Sequence, residues 1–425
     1  MRDFIDRGYV TVQTDFSPEF HANIWQQADE LFATRGNPGN DIYPLIPELG
    51  QVLEHENVRG ALSSILGDDY LLHPHRHCHL TPPGKAPQNN HQDTRVHDEN
   101  VRHHRCRWAM AFYYPQDIDL PIGPTAVTPG SQFLNERDSL DCMDELSVVG
   151  PAGTVTIVHY DMWHRAIANM TDANRYMIKF LFCRLTEPNP SGTAGRSPVF
   201  EHHPDISRFV WDWYANNGKL GRHEPSGSAT SHTETLLSSG KERDRLAASY
   251  TLGEAGEIDR LLDALSAEAQ RKYGRNLDRS HTNVSQLDAS FRLSIGGNKA
   301  VAALKEALDE SNPALRASAA DILGDTGHTA APAIPGLIDR LEDESHWVRR
   351  NATESLGILG AQEAIPALTA RIDDRDDRVR YNAILSLIKI GNPSDQTRRA
   401  LQRSKAGPDA MAKALATIAY DRFAR

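Results

Sequence analysis

Thr81-Pro82-Pro83-Gly84, followed by His91-Gln92-Asp93, and then Trp163-His164 with Arg175 eleven residues beyond it, are the stretches that decide how the first half of this chain is read. Residues i and i+2 of an extended strand face the same way, so His91 and Asp93 are expected to offer an imidazole and a carboxylate to one cation. His164, 71 residues after Asp93, closes a three-ligand set. Two imidazoles and one carboxylate leave three octahedral positions open, which suits a non-haem Fe(II) that must hold a co-substrate and O2 together. Alone the H-x-D motif is weak in a chain with 19 histidines. His159, five residues before His164, competes for the distal position. Arg175, on the strand after His164, can turn its planar fork into the same cavity and match a carboxylate with two hydrogen bonds.

Around these residues, alternation of apolar and polar side chains predicts strands over Tyr70–Leu80, Arg105–Tyr114, Thr125–Thr128, Gly153–Val158 and Arg175–Leu185, separated by turns bearing Pro or Gly. An amphipathic helix is expected over Ser17–Phe32, with Ser17 as N-cap, Pro18 in the first position and Glu19 in the first turn. A helix followed by many short strands suggests a barrel or jelly roll with helices outside it. His73, His75, His77 and His79 alternate along one strand and are expected to line the cavity and its edge without a metal. Trp108, Met110, Phe112 and Tyr114 share a face that serves as core and pocket wall. Arg95 and His103-His104-Arg105 are expected to be solvated or at the cavity mouth, where cations attract an anionic substrate. Phe209 to Tyr214 is expected to pack on the barrel as a helix.

Taken jointly, these residues resemble the phytanoyl-CoA dioxygenase family of Fe(II)/2-oxoglutarate oxygenases over roughly residues 3 to 186. The motifs that carry the resemblance are Gly8-Tyr9-Val10-Thr11-Val12, Thr81-Pro82-Pro83-Gly84, His91-Gln92-Asp93, Gly123-Pro124, Thr128-Pro129-Gly130-Ser131, Gly153-Thr154-Val155, and His164 with Asn169 and Arg175. The resemblance implies a double-stranded β-helix, of jelly-roll or cupin-like form, with Fe(II) on His91, Asp93 and His164. It selects His164 over His159 by the spacing to Arg175, and it places Arg175 on the distal carboxylate of 2-oxoglutarate. Aligned through Pro82-Pro83 and Gly123, further co-substrate contacts fall on His77 and Phe112. Ala166 departs from the family, which often carries a hydroxyl residue there, so the co-substrate is expected to be held differently. The implied chemistry is hydroxylation of an unactivated C–H bond with O2, the 2-oxoglutarate leaving as succinate and CO2. Asp93 favours hydroxylation over halogenation, although desaturation and ring formation also keep the carboxylate.

The second half changes character, to Ala-, Leu-, Asp- and Arg-rich helical text with an internal repeat. An Arg followed by Ala at +3 and Leu at +7 recurs as Arg316/Ala319/Leu323, Arg349/Ala352/Leu356 and Arg380/Ala383/Leu387, in steps of 33 and 31. Arg245/Ala248/Leu252 fits as well, and Ala289/Leu293 fits with Gln286 in place of the Arg. Gly253, Gly324 and Gly357, at +8, are expected to end the first helices in the left-handed region. Second helices are expected to begin near Pro335 and Pro366, and the inter-repeat turns are acidic, as in Asp373-Asp374-Arg375-Asp376-Asp377. This resembles HEAT-like repeats from 233 to roughly 395, with the last segment as a cap. The expected architecture is thus an α+β oxygenase domain at 1–220, a linker at 221–232 and an all-α HEAT-like solenoid at 233–425.

The chain has 425 residues, with 46 Lys and Arg against 57 Asp and Glu and a formal charge of −11. Such an acidic balance argues against nucleic-acid binding, which draws on clustered cations. A mean hydropathy of −0.52 leaves no apolar run of about 18 residues to cross a membrane. Acidic residues at the start and four scattered cysteines, Cys78, Cys106, Cys142 and Cys183, fit a cytoplasmic protein with free thiols. Nothing in the pocket text names the substrate, taken as a small molecule or one bound to a carrier. The solenoid's concave surface suggests a protein partner, self-association or the carrier itself. A rival function is a non-catalytic HEAT scaffold whose barrel is an inactive sensor. A solenoid lyase acting on bilins rests on the repeats alone and leaves the barrel unexplained.

Overall fold

A computed structural model describes residues 1–93, 104–188, 198–216, 228–274, 284 and 287–424. They fall into two compact units, one within residues 1–217 and the other within 218–425.

The first unit is built on two antiparallel sheets. The strands are β1 (Tyr9–Gln13), β2 (Tyr70–Thr81), β3 (Trp108–Tyr113), β4 (Thr125–Val127), β5 (Leu146–Ser147), β6 (Thr154–His159), β7 (His164–Ala166) and β8 (Arg175–Arg184). The larger sheet runs β1-β6-β3-β8-β2 and the smaller β5-β4-β7, the jelly-roll arrangement expected. β1, β5 and β7 were not among the expected strands; β5 and β7, of two and three residues, are too short for alternation to register.

Period-two alternation sorts the large sheet's two faces. Ala109, Ala111 and Tyr113 of β3, Val155 and Ile157 of β6, and Tyr176, Ile178, Phe180 and Phe182 of β8 join Ile24, Leu49, Val52, Leu62 and Leu66 from the helices in one core. Those helices are Pro18–Arg35, Glu48–Glu54 and Glu56–Leu66. The first is capped as expected, Ser17 accepting from the Phe20 N–H, and runs three residues beyond the expected end. The opposite face carries Trp108, Met110, Phe112, Thr156, Arg175, Met177 and Lys179, all buried. The sheet therefore has an apolar side under helices and a mixed side that holds the chemistry.

One expectation about this unit is corrected. His104 and Arg105 are buried rather than solvated, the Arg105 guanidinium lying 4.9 Å from the Phe209 ring centre. Arg95 and His103 lie outside the described residues. The four alternating histidines do not form one ladder, because the β2–β8 register shifts between Leu72 and Arg76. His73 packs against Trp108, with ring centres 5.4 Å apart, while His77 and His79 stand together at 4.4 Å. Phe209 to Tyr214 does lie in a helix, Pro204–Asn216. Cys78, Cys106, Cys142 and Cys183 are all free thiols, and burial pushes those of Cys78 and Cys106 up to about 12.

The second unit is helical. Its first described helix, Ala229–Ser238, begins inside the stretch read as linker, with Ser228 capping it. The remainder of that stretch and Gln286 lie outside the described residues. Helices Pro313–Thr326, His346–Ile358 and Asp377–Ile390 carry the repeated Arg, Ala and Leu, and the second helices start at Ile334 and Ile365, with a proline in the first turn. Helices continue through Asp395–Ala406 and Ala410–Phe423.

The +8 glycines do not end helices. Gly253, Gly324 and Gly357 lie within them, and the left-handed positions belong to Gly256, Gly327, Gly360 and Gly391, eleven residues past each arginine. The +8 positions are glycine because neighbouring repeats touch there: a Cβ on Gly324 would stand 2.8 Å from Ser355 Cα, and one on Gly357 the same distance from Ser386 Cα. Backbone contact leaves no flexible atom to yield. Gly357→Val is expected to cost about 1–3 kcal/mol, as overpacking of a filled core does, read as a fall in the urea midpoint of the helical signal.

The repeated arginines have a structural use the pattern did not disclose. Arg316 donates to both oxygens of Asp343 at 2.8 and 2.9 Å, and Arg349 to both of Asp374 at 3.0 and 2.9 Å. Arg245 pairs with Asp288 and Arg380 with Asp409. Each guanidinium also donates to backbone carbonyls, as Arg349 does to those of Asp343 and Glu344. The acidic turns are therefore sockets for buried cations.

Candidate metal centre

His91, Asp93 and His164 converge so that one ligand atom of each lies within 4.8 Å of the others. His91 Nε2 is 3.7 Å from Asp93 Oδ1, and His164 Nε2 is 3.8 Å from Asp93 Oδ2. The premise that His91 and Asp93 ride one strand needs correction. His91 makes an isolated antiparallel bridge with His164, each backbone N–H donating to the other's carbonyl at 3.0 and 2.9 Å. The chain beyond it is held by the buried Gln92 amide, which donates to the carbonyls of Leu134 and Asp161, and by the Tyr160 hydroxyl on the Asp93 carbonyl. Long-range hydrogen bonds, not strand periodicity, aim the carboxylate.

Both imidazoles are set to present Nε2. His91 Nδ1 donates to the Asn89 carbonyl and His164 Nδ1 to the Met162 carbonyl, each at 2.9 Å. Because a carbonyl can only accept, the proton sits on Nδ1 and the Nε2 lone pair faces the cluster, as metal-ligating histidines require. Burial lowers the His164 pKa below its ordinary value, with the Asp93 charge opposing. Burial also disfavours the Asp93 anion, yet the charge and hydrogen bond of the adjacent Lys179 ammonium hold its carboxyl well below the usual range. The cluster thus sets a carboxylate oxygen beside two Nε2 atoms whose rings donate through Nδ1.

His159 is buried but turned elsewhere, its Nδ1 3.8 Å from Asp161 Oδ2 and its ring 6.3 Å from that of Phe4. His77 pairs across the sheet with Lys179, accepts from the Asn37 amide at 3.2 Å, and has its pKa lowered by burial and the Lys179 charge. Phe112, fully buried, pairs with Lys179 from the other side and sets its ring 5.5 Å from that of His164. His79, whose pKa burial drives well down, lies close enough to Lys179, Asp93 and Arg175 to feel all three charges.

Arg175 is 1% exposed at the start of β8. Its Nε donates to the Gly123 carbonyl at 3.0 Å, and its Nη2, buried, has no hydrogen-bond partner among the described residues. Gly123 has φ +78°, and a Cβ there would stand 2.7 Å from the Ile167 carbonyl oxygen and 2.8 Å from that of Ala168, so only glycine fits beneath the loop. Asn169 shapes that loop, its amide donating to the carbonyls of Thr81 and Ala173. Tyr114 lies near enough to interact with the Arg175 charge and carries a buried hydroxyl.

One residue here escaped the sequence reading, and another was read only as pocket wall. Lys179 donates to Asp93 Oδ2 at 2.7 Å, and Tyr114 lies near enough to feel the Arg175 charge. A signal for Lys179 existed: it is a lone Lys in the apolar run Tyr176 to Cys183, in period-two phase with Arg175.

Comparison with known proteins accords with this geometry. Residues 10–177 match the model of the phytanoyl-CoA dioxygenase (PhyH) family, and residues 300–388 and 334–420 match HEAT repeats. The chain carries a PhyH-family domain joined to HEAT repeats, which extend past the limit near 395 read from the pattern. Similar solved structures include the non-haem α-ketoglutarate-dependent epimerase SnoN from nogalamycin biosynthesis, at 18% identity over 48% of this chain and 92% of that one, TM-score 0.37. The carbocyclase SnoK of the same biosynthesis has 19% identity over 46% and 90%, TM-score 0.36. EctD from S. alaskensis, solved with 2-oxoglutarate and 5-hydroxyectoine, has 17% identity over 47% and 81%, TM-score 0.38. Among the described residues no helix is long and apolar enough to cross a membrane.

Proposed function

We propose that residues 1–220 form an Fe(II)- and 2-oxoglutarate-dependent dioxygenase acting in the cytoplasm. It hydroxylates an unactivated C–H bond of a small-molecule or carrier-bound substrate, with HEAT-like repeats at 233–425 engaging a partner or the carrier. The observation that carries this reading is the convergence of two Nε2 lone pairs and one carboxylate, together with the buried, unpartnered Nη2 of Arg175. Two nitrogens and one oxygen fit Fe(II) with positions to spare. A buried guanidinium N–H without an acceptor is costly unless a ligand completes it, and a co-substrate carboxylate does so.

When bound, Fe(II) with 2-oxoglutarate and O2 supplies the oxidation of a C–H bond, the co-substrate leaving as succinate and CO2. The chain's own residues position and shield. His91, Asp93 and His164 hold the metal, their orientation set by the carbonyls of Asn89 and Met162 and by the Gln92 amide. Arg175 takes the distal carboxylate, and the Tyr114 hydroxyl stands in for the hydroxyl residue absent at Ala166. Phe112 walls the site against His164, and His77 borders it beside Lys179. The uncharged imidazoles of His77 and His79 add donors to that wall without adding charge.

The test is an anaerobic titration of metal-free protein with Fe(II) and then 2-oxoglutarate, following the visible charge-transfer band of the chelate. The band is expected only with both present; its absence from folded protein would overturn the reading. Arg175→Ala is expected to raise the 2-oxoglutarate requirement by roughly 10- to 100-fold, the equivalent of one charge-assisted contact of about 1.5–3 kcal/mol. Iron affinity in that variant stays close to wild type.

A further inference from the structure

Lys179 is an anomaly in β8. An ammonium buried between apolar neighbours is costly unless paired, and its side chain is 7% exposed. Its partner is one oxygen of the metal-site carboxylate: Nζ lies 2.7 Å from Asp93 Oδ2, which also faces His164 Nε2 at 3.8 Å, while Oδ1 is turned toward His91 Nε2 at 3.7 Å. His77 and Phe112 flank it on the two neighbouring strands. We infer that Lys179 is a positioning residue that occupies Asp93 Oδ2, so that Asp93 meets a divalent cation through a single oxygen with part of its charge already neutralised. This rests on the proposed metal centre.

The physical consequence is a choice of coordination number. A free carboxylate can chelate with both oxygens and fill two metal positions. With Oδ2 held by an ammonium, one position is filled, and the one released stays open for the co-substrate and O2. The same ammonium repels the incoming cation, so the site binds metal less tightly than its donors allow and holds it in the more open geometry. Hydrogen bonds to a ligating carboxylate tune metal sites in this way.

Co(II), added to the metal-free full-length protein, serves as the probe. Lys179→Met keeps the length of the apolar stem and removes the charge, and Lys179→Arg keeps a cation. Lys179→Met is expected to bind Co(II) at least about tenfold more tightly, because a nearby positive charge is gone, and to shift the position and absorptivity of the ligand-field bands as the second oxygen joins. Lys179→Arg is expected to return both toward wild type. A Lys179→Met variant with wild-type affinity and spectrum, or with weaker binding, overturns the inference while leaving the metal centre in place. Failure of wild-type protein to bind one Co(II) per chain, or binding unchanged by Asp93→Ala, overturns the metal centre itself and this inference with it.

Discussion

Asp93→Ala and Asp93→Asn are both expected to lose metal binding and activity together. The carboxylate supplies the cluster's negative charge, and its two neighbours donate through neutral nitrogen. Changing residues that only support a metal ligand costs about 10- to 100-fold in affinity, so loss of the ligand itself is expected to exceed roughly 100-fold. Asp93→Asn keeps the shape and leaves an amide near Lys179, which separates loss of the ligand from loss of packing. His164→Ala should behave alike, whereas His159→Asn should retain one metal per chain, because His159 is turned toward Phe4 and Asp161. Metal content after dialysis against Fe(II) or Zn(II) checks all four variants. A metal-replete, fully active Asp93→Ala protein would refute the site.

The largest effect on stability is expected at Arg349. Its side chain and that of Asp374 are each 3% exposed, and they share two hydrogen bonds of 2.9 and 3.0 Å. Removing one partner of a buried ion pair typically costs about 3–5 kcal/mol, because the other charge stays desolvated. Arg349→Ala also strips donors from the carbonyls of Asp343 and Glu344. Arg403→Ala is the control, since Arg403 and Asp373 are 63% and 60% exposed, and exposed pairs contribute about 0–1 kcal/mol. Urea unfolding followed by the far-ultraviolet helical signal should place Arg349→Ala far below wild type and Arg403→Ala close to it. Equal losses would mean that the arginine ladder is not what joins the repeats.

Much of this molecule is legible in one dimension because its signals are periodic. Alternation along Trp108 to Tyr113 and Arg175 to Arg184 separates the helix-packed face from the chemical face without reference to any other segment. The Arg, Ala and Leu spacing does the same for the solenoid helices. The ligand types, and the spacing of His164 to Arg175, are equally local. What those patterns could not supply was the reason for a residue when that reason lies in another element. Gly324 and Gly357 look like helix stops, since glycine at the end of a repeat usually is one, but their need for a small side chain comes from Ser355 and Ser386 of the following repeats. Arg105 reads as solvated from its charged neighbours, yet it is buried over Phe209, about a hundred residues away.

Sequence by itself thus determined the two architectures, the donor types and the strand faces, all properties of a residue and its near neighbours along the chain. Tertiary structure alone decided that His91 bridges to His164 rather than riding a strand with Asp93, that Gln92 and Tyr160 aim the carboxylate, that His159 faces away, and that Lys179 closes on Asp93. Apart from the His159 orientation, each of these depends on two segments 40 to 90 positions apart meeting at hydrogen-bond distance. Periodicity tells which way a side chain points, and only packing determines what it meets there.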